Sequence, residues 1–129
     1  MRMRKMKNLD VRMERCAALR IAEPAALKGN WRSLKPDASA LWVEVGCGKG
    51  KFTAETAAAN PDVLMIAVER CREAMVVAME KAQSMELTNV FYIDMDVANI
   101  EEILAGEEID RLFINFPDQI GRASCRERV

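Results

Sequence analysis

The sequence predicts an α/β fold built on a parallel sheet with crossover helices. Three observations carry this. Short apolar runs alternate with helix-spaced segments four times between Leu41 and Phe116. The second run, Val63 to Val68, is apolar throughout, as a strand buried on both faces must be. A glycine-rich turn joins the first run to the helix that follows it. The composition agrees: 129 residues, 50% hydrophobic and 30% charged, suit one soluble domain with a modest core.

Residues 1–40 form a basic arm followed by a helical segment. Met1 to Lys7 carries Arg2, Arg4, Lys5 and Lys7 with no acid, which suits either a solvated terminus or contact with phosphates. A helix is expected over Leu9 to Ile21, although its periodicity is mediocre, and Lys35 to Ser39 reads as a loop. Leu41 to Val45 is the first strand, interrupted by Glu44. Lys51 to Ala59 is an Ala-rich helix that stops before Asn60-Pro61. After the Val63–Val68 strand, Cys71 to Leu87 sets Met75, Ala78, Met79, Ala82 and Met85 at helical spacing, so the methionines read as core filler. Val90 to Ile93 is the third strand, Val97 to Leu104 a short helix and Arg111 to Phe116 the fourth strand.

Several functions are disfavoured. No apolar run approaches the ~20 residues of a membrane span, and no apolar stretch follows the basic arm as in a signal peptide. The chain has no His, which removes Ser-His and Cys-His nucleophiles. Cys16, Cys47, Cys71 and Cys125 form no CxxC pair, so no metal site is expected and the thiols suit the reduced state of a cytoplasmic protein.

The chemistry centres on Glu44-Val45-Gly46-Cys47-Gly48-Lys49-Gly50, between a strand and a helix. Glycines turn the chain tightly and let a ligand lie against the backbone. The spacing is GxGxG rather than the GxGxxG of dinucleotide sites, with an acid two residues before the first glycine. A pyrophosphate has no use for that carboxylate, whereas a ligand with an ammonium group does. Glu69 ends the second strand, where a carboxylate can accept both hydroxyls of a ribose. Asp96-Val97 follows the third strand. Asp96 can accept from an adenine amine while Val97 packs on the ring, and Asp96 also suits a helix N-cap. Together these features fit one adenosyl ligand with a cationic amino-acid end, S-adenosyl-L-methionine, better than a nicotinamide cofactor.

The fourth strand runs into Asn115-Phe116-Pro117-Asp118. With the Glu44–Phe52 run, Glu69 and Asp96, this element resembles the bacterial tRNA (guanine-N7)-methyltransferases. The opening Met-Arg-Met-Arg and Pro24 to Trp31 are also similar to that family's N-terminal region. The resemblance covers Met1 to Asp118. It implies a Rossmann-like class I methyltransferase fold, partial here, with sheet order 3-2-1-4, and residues 41–118 as the first half of the S-adenosylmethionine-binding domain. It implies methyl transfer to guanine N7 of tRNA by the intact cytoplasmic enzyme, with Glu44, Gly46, Gly48, Glu69, Asp96, Val97 and Asp118 at the cofactor and Asp118 also catalytic. The rival expectations are a class I methyltransferase with another substrate and a non-catalytic RNA-binding fragment.

The family's element continues Phe-Pro-Asp-Pro-Trp-Pro-Lys, and here the chain departs from it. Residues 119–129 read instead as a translated sequencing adapter, ATC GGA AGA GCG TCG TGT AGG GAA AGA GTG for Ile120 to Val129, with Gln119 at the junction. Removing Arg122, Arg126, Arg128 and Glu127 takes the formal charge from -1 to -3. The chain is therefore expected to be an N-terminal fragment, inactive alone.

Overall fold

The computed structural model describes residues 7–115. Most of the basic arm, the Phe116–Asp118 stretch and residues 119–129 lie outside them. The elements in chain order are α1 (Leu9–Arg15), β1 (Ala40–Val45), α2 (Lys51–Ala59), β2 (Val63–Val68), α3 (Arg72–Ser84), β3 (Val90–Ile93) and β4 (Arg111–Ile114). The strands form a four-stranded parallel sheet in the order β3-β2-β1-β4, as the sequence predicts. All six residues of β2 are buried, which is why its sequence carries no polar side.

Two apolar layers cover the sheet. On one side Met65, Ala67, Val90 and Tyr92 pack with Met13 and Cys16 from the N-terminal segment, Ala57 of α2 and Met75, Ala78, Met79 and Ala82 of α3. The methionines of α3 are thus core filler, each buried side chain contributing on the order of 1.5–3 kcal/mol. Gly50 lets α2 approach α3, since a Cβ there would stand 2.6 Å from that of Ala78. On the other side Leu41, Val43, Leu64, Ile66, Val68 and Ile93 pack against Trp31, Ile103 and Leu104. The Trp31 indole N–H donates to the Ile103 carbonyl at 2.7 Å. The Glu108 carboxylate accepts from the backbone N–H groups of Gly29, Trp31 and Ala105, each at 3.0 Å, fastening the N-terminal segment to the approach to β4.

The expected helix over Leu9 to Ile21 is shorter. It ends at Arg15, a 3-10 turn spans Ala17–Leu19, and Arg20 bridges in parallel to Tyr92. The Ile21 N–H bonds to the Tyr92 carbonyl at 2.9 Å, so pairing with the edge of β3 outcompetes a weakly periodic helix. Val97–Glu102 is likewise 3-10, with a kink at Asn99, rather than α-helical to Leu104. Cys16 and Cys47 are free thiols. Among the described residues no cluster of His, Cys, Asp or Glu could hold a metal, and no helix is long and apolar enough to cross a membrane.

Candidate methyl-donor site

The carboxyl ends of β1, β2 and β3 meet at one edge of the sheet, where open α/β folds take their ligands. The turn after β1 is set by hydrogen bonds to the end of β2. Gly46 N–H donates to the Val68 carbonyl at 2.8 Å and Cys47 N–H to the same carbonyl at 3.3 Å. Gly46 and Gly48 have φ of 80° and 57°, the left-handed region that side chains rarely adopt.

These two glycines serve different neighbours. A Cβ at Gly46 would stand 2.8 Å from the Asn115 carbonyl oxygen, so this position is closed by the end of β4. Beside Gly48 a Cβ would meet nothing within 4 Å, so here the backbone faces open space where a ligand could lie. The Gly48 N–H donates to Glu69 Oε1 at 2.8 Å, and the Cys71 N–H donates to Oε2 at 3.0 Å. Glu69 therefore latches the loop to the start of α3. Each carboxylate oxygen accepts one bond from these amides and has a second lone pair for a ligand hydroxyl. A recess of about 410 Å³ is lined by Leu9, Arg70, Cys71, Arg72 and Glu73, and neither the glycine loop nor Glu69, Asp96 or Val97 lines it.

Asp96 sits after β3 and caps the following turn, its Oδ1 accepting from the Ala98 N–H at 3.0 Å. Oδ2 lies 3.9 Å from Arg70 Nη1, both side chains being half exposed. A pair this long and wet is weak, so it leaves the carboxylate able to accept from a ligand amine. Val97 next to it is exposed, an apolar surface at the place expected for a ring.

Glu44 is the departure. It is fully buried within β1, and its oxygens are taken by Thr53 Oγ1–H and by Asn115 Nδ2–H, the latter at 2.7 Å. Burial pushes its carboxyl pKa up, and the two donors partly offset this. Glu44 thus lies behind the glycine loop rather than on its open side. The acid-before-glycine pattern locates the residue correctly in sequence but does not reveal its facing, because alternation along β1 turns it into the helix layer beside Ala67. Sequence reading did not single out Thr53, and it named Asn115 only as the first residue of the Asn-Phe-Pro-Asp run. Only their spacing signals them: one follows the loop on the first turn of α2, the other follows β4. Asp118 lies outside the described residues.

Residues 38–120 match a family model described as "Putative methyltransferase". Curated relatives include the tRNA (guanine-N(7)-)-methyltransferase of Halalkalibacterium halodurans, 41% identical over 98 residues, covering 76% of this chain and 44% of the relative. The protein of the same name from Bacillus licheniformis is 33% identical over 118 residues, covering 92% and 55%. The chain spans about half the length of the curated relatives it matches. Among solved structures, the antibiotic-resistance methyltransferase Kmr aligns with a TM-score of 0.57 at 23% identity, over 69% of this chain and 47% of that one. A 30S ribosomal A1408 methyltransferase from an uncultured bacterium aligns with a TM-score of 0.52 at 26% identity, over 64% and 40%. With the matched family spanning the whole sheet and the loop that serves it, the chain belongs to this methyltransferase family.

Proposed function

We propose that this chain is the S-adenosylmethionine-binding front part of a tRNA (guanine-N7)-methyltransferase. The observation that carries the reading is the Gly48–Glu69 latch: an open backbone turn tied to a carboxylate with accepting capacity to spare, at the carboxyl ends of parallel strands. The acceptor is inferred from the names of the relatives. Residues 41–118 are the first half of the catalytic domain, residues 1–40 precede it as arm and helical segment, and residues 119–129 are non-native.

S-adenosylmethionine, when bound, supplies a methyl group activated by its sulfonium. Glu69 would hold the ribose, Asp96 and Val97 the adenine, and the Gly46–Gly48 backbone the amino-acid end, with Glu44 supporting that backbone from beneath. Guanine N7 bears an in-plane lone pair and no proton, so no general base is needed. The enzyme's task is to hold N7 in line with the methyl and its leaving group. Asp118 then orients guanine and stabilises the positive charge that grows on it. The test is incubation of the intact enzyme with labelled donor and tRNA, followed by nucleoside analysis. 7-Methylguanosine is the expected product, and label in any other nucleoside would overturn the guanine-N7 assignment.

A further inference from the structure

Among the described residues β3 is an outer strand of the sheet, and the N-terminal segment pairs with it at Arg20. Arg20 bridges in parallel to Tyr92, and the Ile21 N–H donates to the Tyr92 carbonyl at 2.9 Å. The Arg20 guanidinium reaches past the end of the strand, where Nη2 donates to both oxygens of Asp94, at 3.2 and 3.3 Å. Asp94 is the first residue after β3, and its side chain is only 16% exposed. Arg72, the first residue of α3, meets the same carboxylate, its Nε standing 3.4 Å from Oδ2. Two residues after Asp94 comes Asp96, which caps its turn through Ala98 and pairs with Arg70 only at 3.9 Å. The turn from Asp94 to Val97 is thus clamped by two arginines at its first acid, while its second acid keeps a long, half-exposed ion pair.

We infer that Arg20 is a positioning residue: by holding Asp94 it fixes the turn that presents Asp96 and Val97 to the adenine ring, which makes the N-terminal segment part of the methyl-donor site. This rests on the function proposed above and deepens it. A short turn anchored at one end has few conformations left, so holding Asp94 limits where Asp96, two residues on, can point. Asp94 is also the drier of the two acids. Loss of Arg20 leaves it largely out of water with one longer partner, and the turn must move to solvate it. Arg20 needs no contact with the ligand for this.

The test compares two ligands that differ at the adenine amine, S-adenosylhomocysteine and S-inosylhomocysteine, by calorimetry with the intact enzyme. The inosine ligand carries a carbonyl in place of the amine, so Asp96 would face an acceptor instead of a donor. The wild type should prefer the adenine ligand by about ten-fold or more. In Arg20→Gln that preference should shrink by about three- to ten-fold, through weaker binding of the adenine ligand. Arg20→Lys should restore most of it, because a single nitrogen makes both contacts with Asp94. Arg12→Gln is the control. It breaks the Arg12–Glu80 pair, which fastens the same segment to α3 away from Asp94, and should leave the preference unchanged. General loosening of the fold weakens both ligands alike. An unchanged preference in Arg20→Gln, or an equal loss of preference in Arg12→Gln, would therefore overturn the inference alone. A wild type with no preference would refute the adenine assignment of the proposed function, and the inference with it.

Discussion

Glu69 latches the glycine loop and, in the function proposed above, also holds the ribose, and its removal should show both. In Glu69→Ala the Gly48 and Cys71 amides lose their acceptor and the proposed ribose contact disappears. Charge-assisted hydrogen bonds contribute on the order of 1.5–3 kcal/mol each, so affinity for S-adenosylmethionine should fall at least ten-fold by calorimetry. Unchanged affinity would remove Glu69 from the site. The glycines separate in the same way. Gly48→Ala should cost about 1–2 kcal/mol of stability from its left-handed backbone alone. Gly46→Ala must in addition displace the Asn115 carbonyl, adding about 1–3 kcal/mol. Equal losses in urea unfolding would contradict this packing. Glu44 predicts a pH effect. Burial raises its pKa in the folded state above the ordinary 4.5, so Glu44 takes up a proton more readily in the folded than in the unfolded chain. Its contribution is fully present below 4.5 and is lost as pH rises through the raised value. Glu80, Asp62 and Asp110 shift downward and act in the opposite sense, so the comparison is with Glu44→Gln. The stability of wild type relative to that variant should decline as pH rises from near 4.5, and a flat difference would contradict the buried assignment.

Among the described residues β4 stands at the edge of the sheet, with Leu112 and Ile114 about half exposed, 49% and 56%. Its neighbours across β1, Val43 and Val45, are covered or partly covered by the Trp31 layer, which does not extend over β4. On the opposite face Phe113 is held edge-on by Trp42 and Phe52, at 5.6 and 5.2 Å between ring centres. An uncovered apolar edge favours pairing with another chain. Purified chain should therefore associate with rising concentration, and Leu112→Lys with Ile114→Lys should suppress this in light scattering. A dispersed wild type would contradict it. The same elements show what the sequence could reveal. β2 and α2 were legible because unbroken apolar runs and helical spacing are local and strong, and the strand order because the family resemblance implies it. The N-terminal helix was overestimated because its end is decided by Tyr92, a partner far away in sequence. The strand-end positions of Glu44, Glu69 and Asp96 are legible in the sequence, but the burial of Glu44 is not, because it depends on which side of β1 faces the loop, and the contacts of Asn115 and Thr53 with it join residues apart in sequence.

The described residues form a four-stranded parallel sheet with the glycine loop at one edge, while the relatives are about twice as long. The chain covers about half the length of those relatives, so under the proposed function the 129-residue chain should incorporate no methyl into tRNA, and filter-bound label above background would refute this. Donor binding is a separate matter, because the glycine loop, Glu69 and Asp96 are all present and held by contacts among the described residues. Calorimetric titration of the chain with S-adenosylmethionine asks that question alone. The expected result is a single saturable site that weakens at least ten-fold in Glu69→Ala. Absence of binding heat across the titration, or binding indifferent to Glu69→Ala, would contradict the assignment of this edge of the sheet as the methyl-donor site.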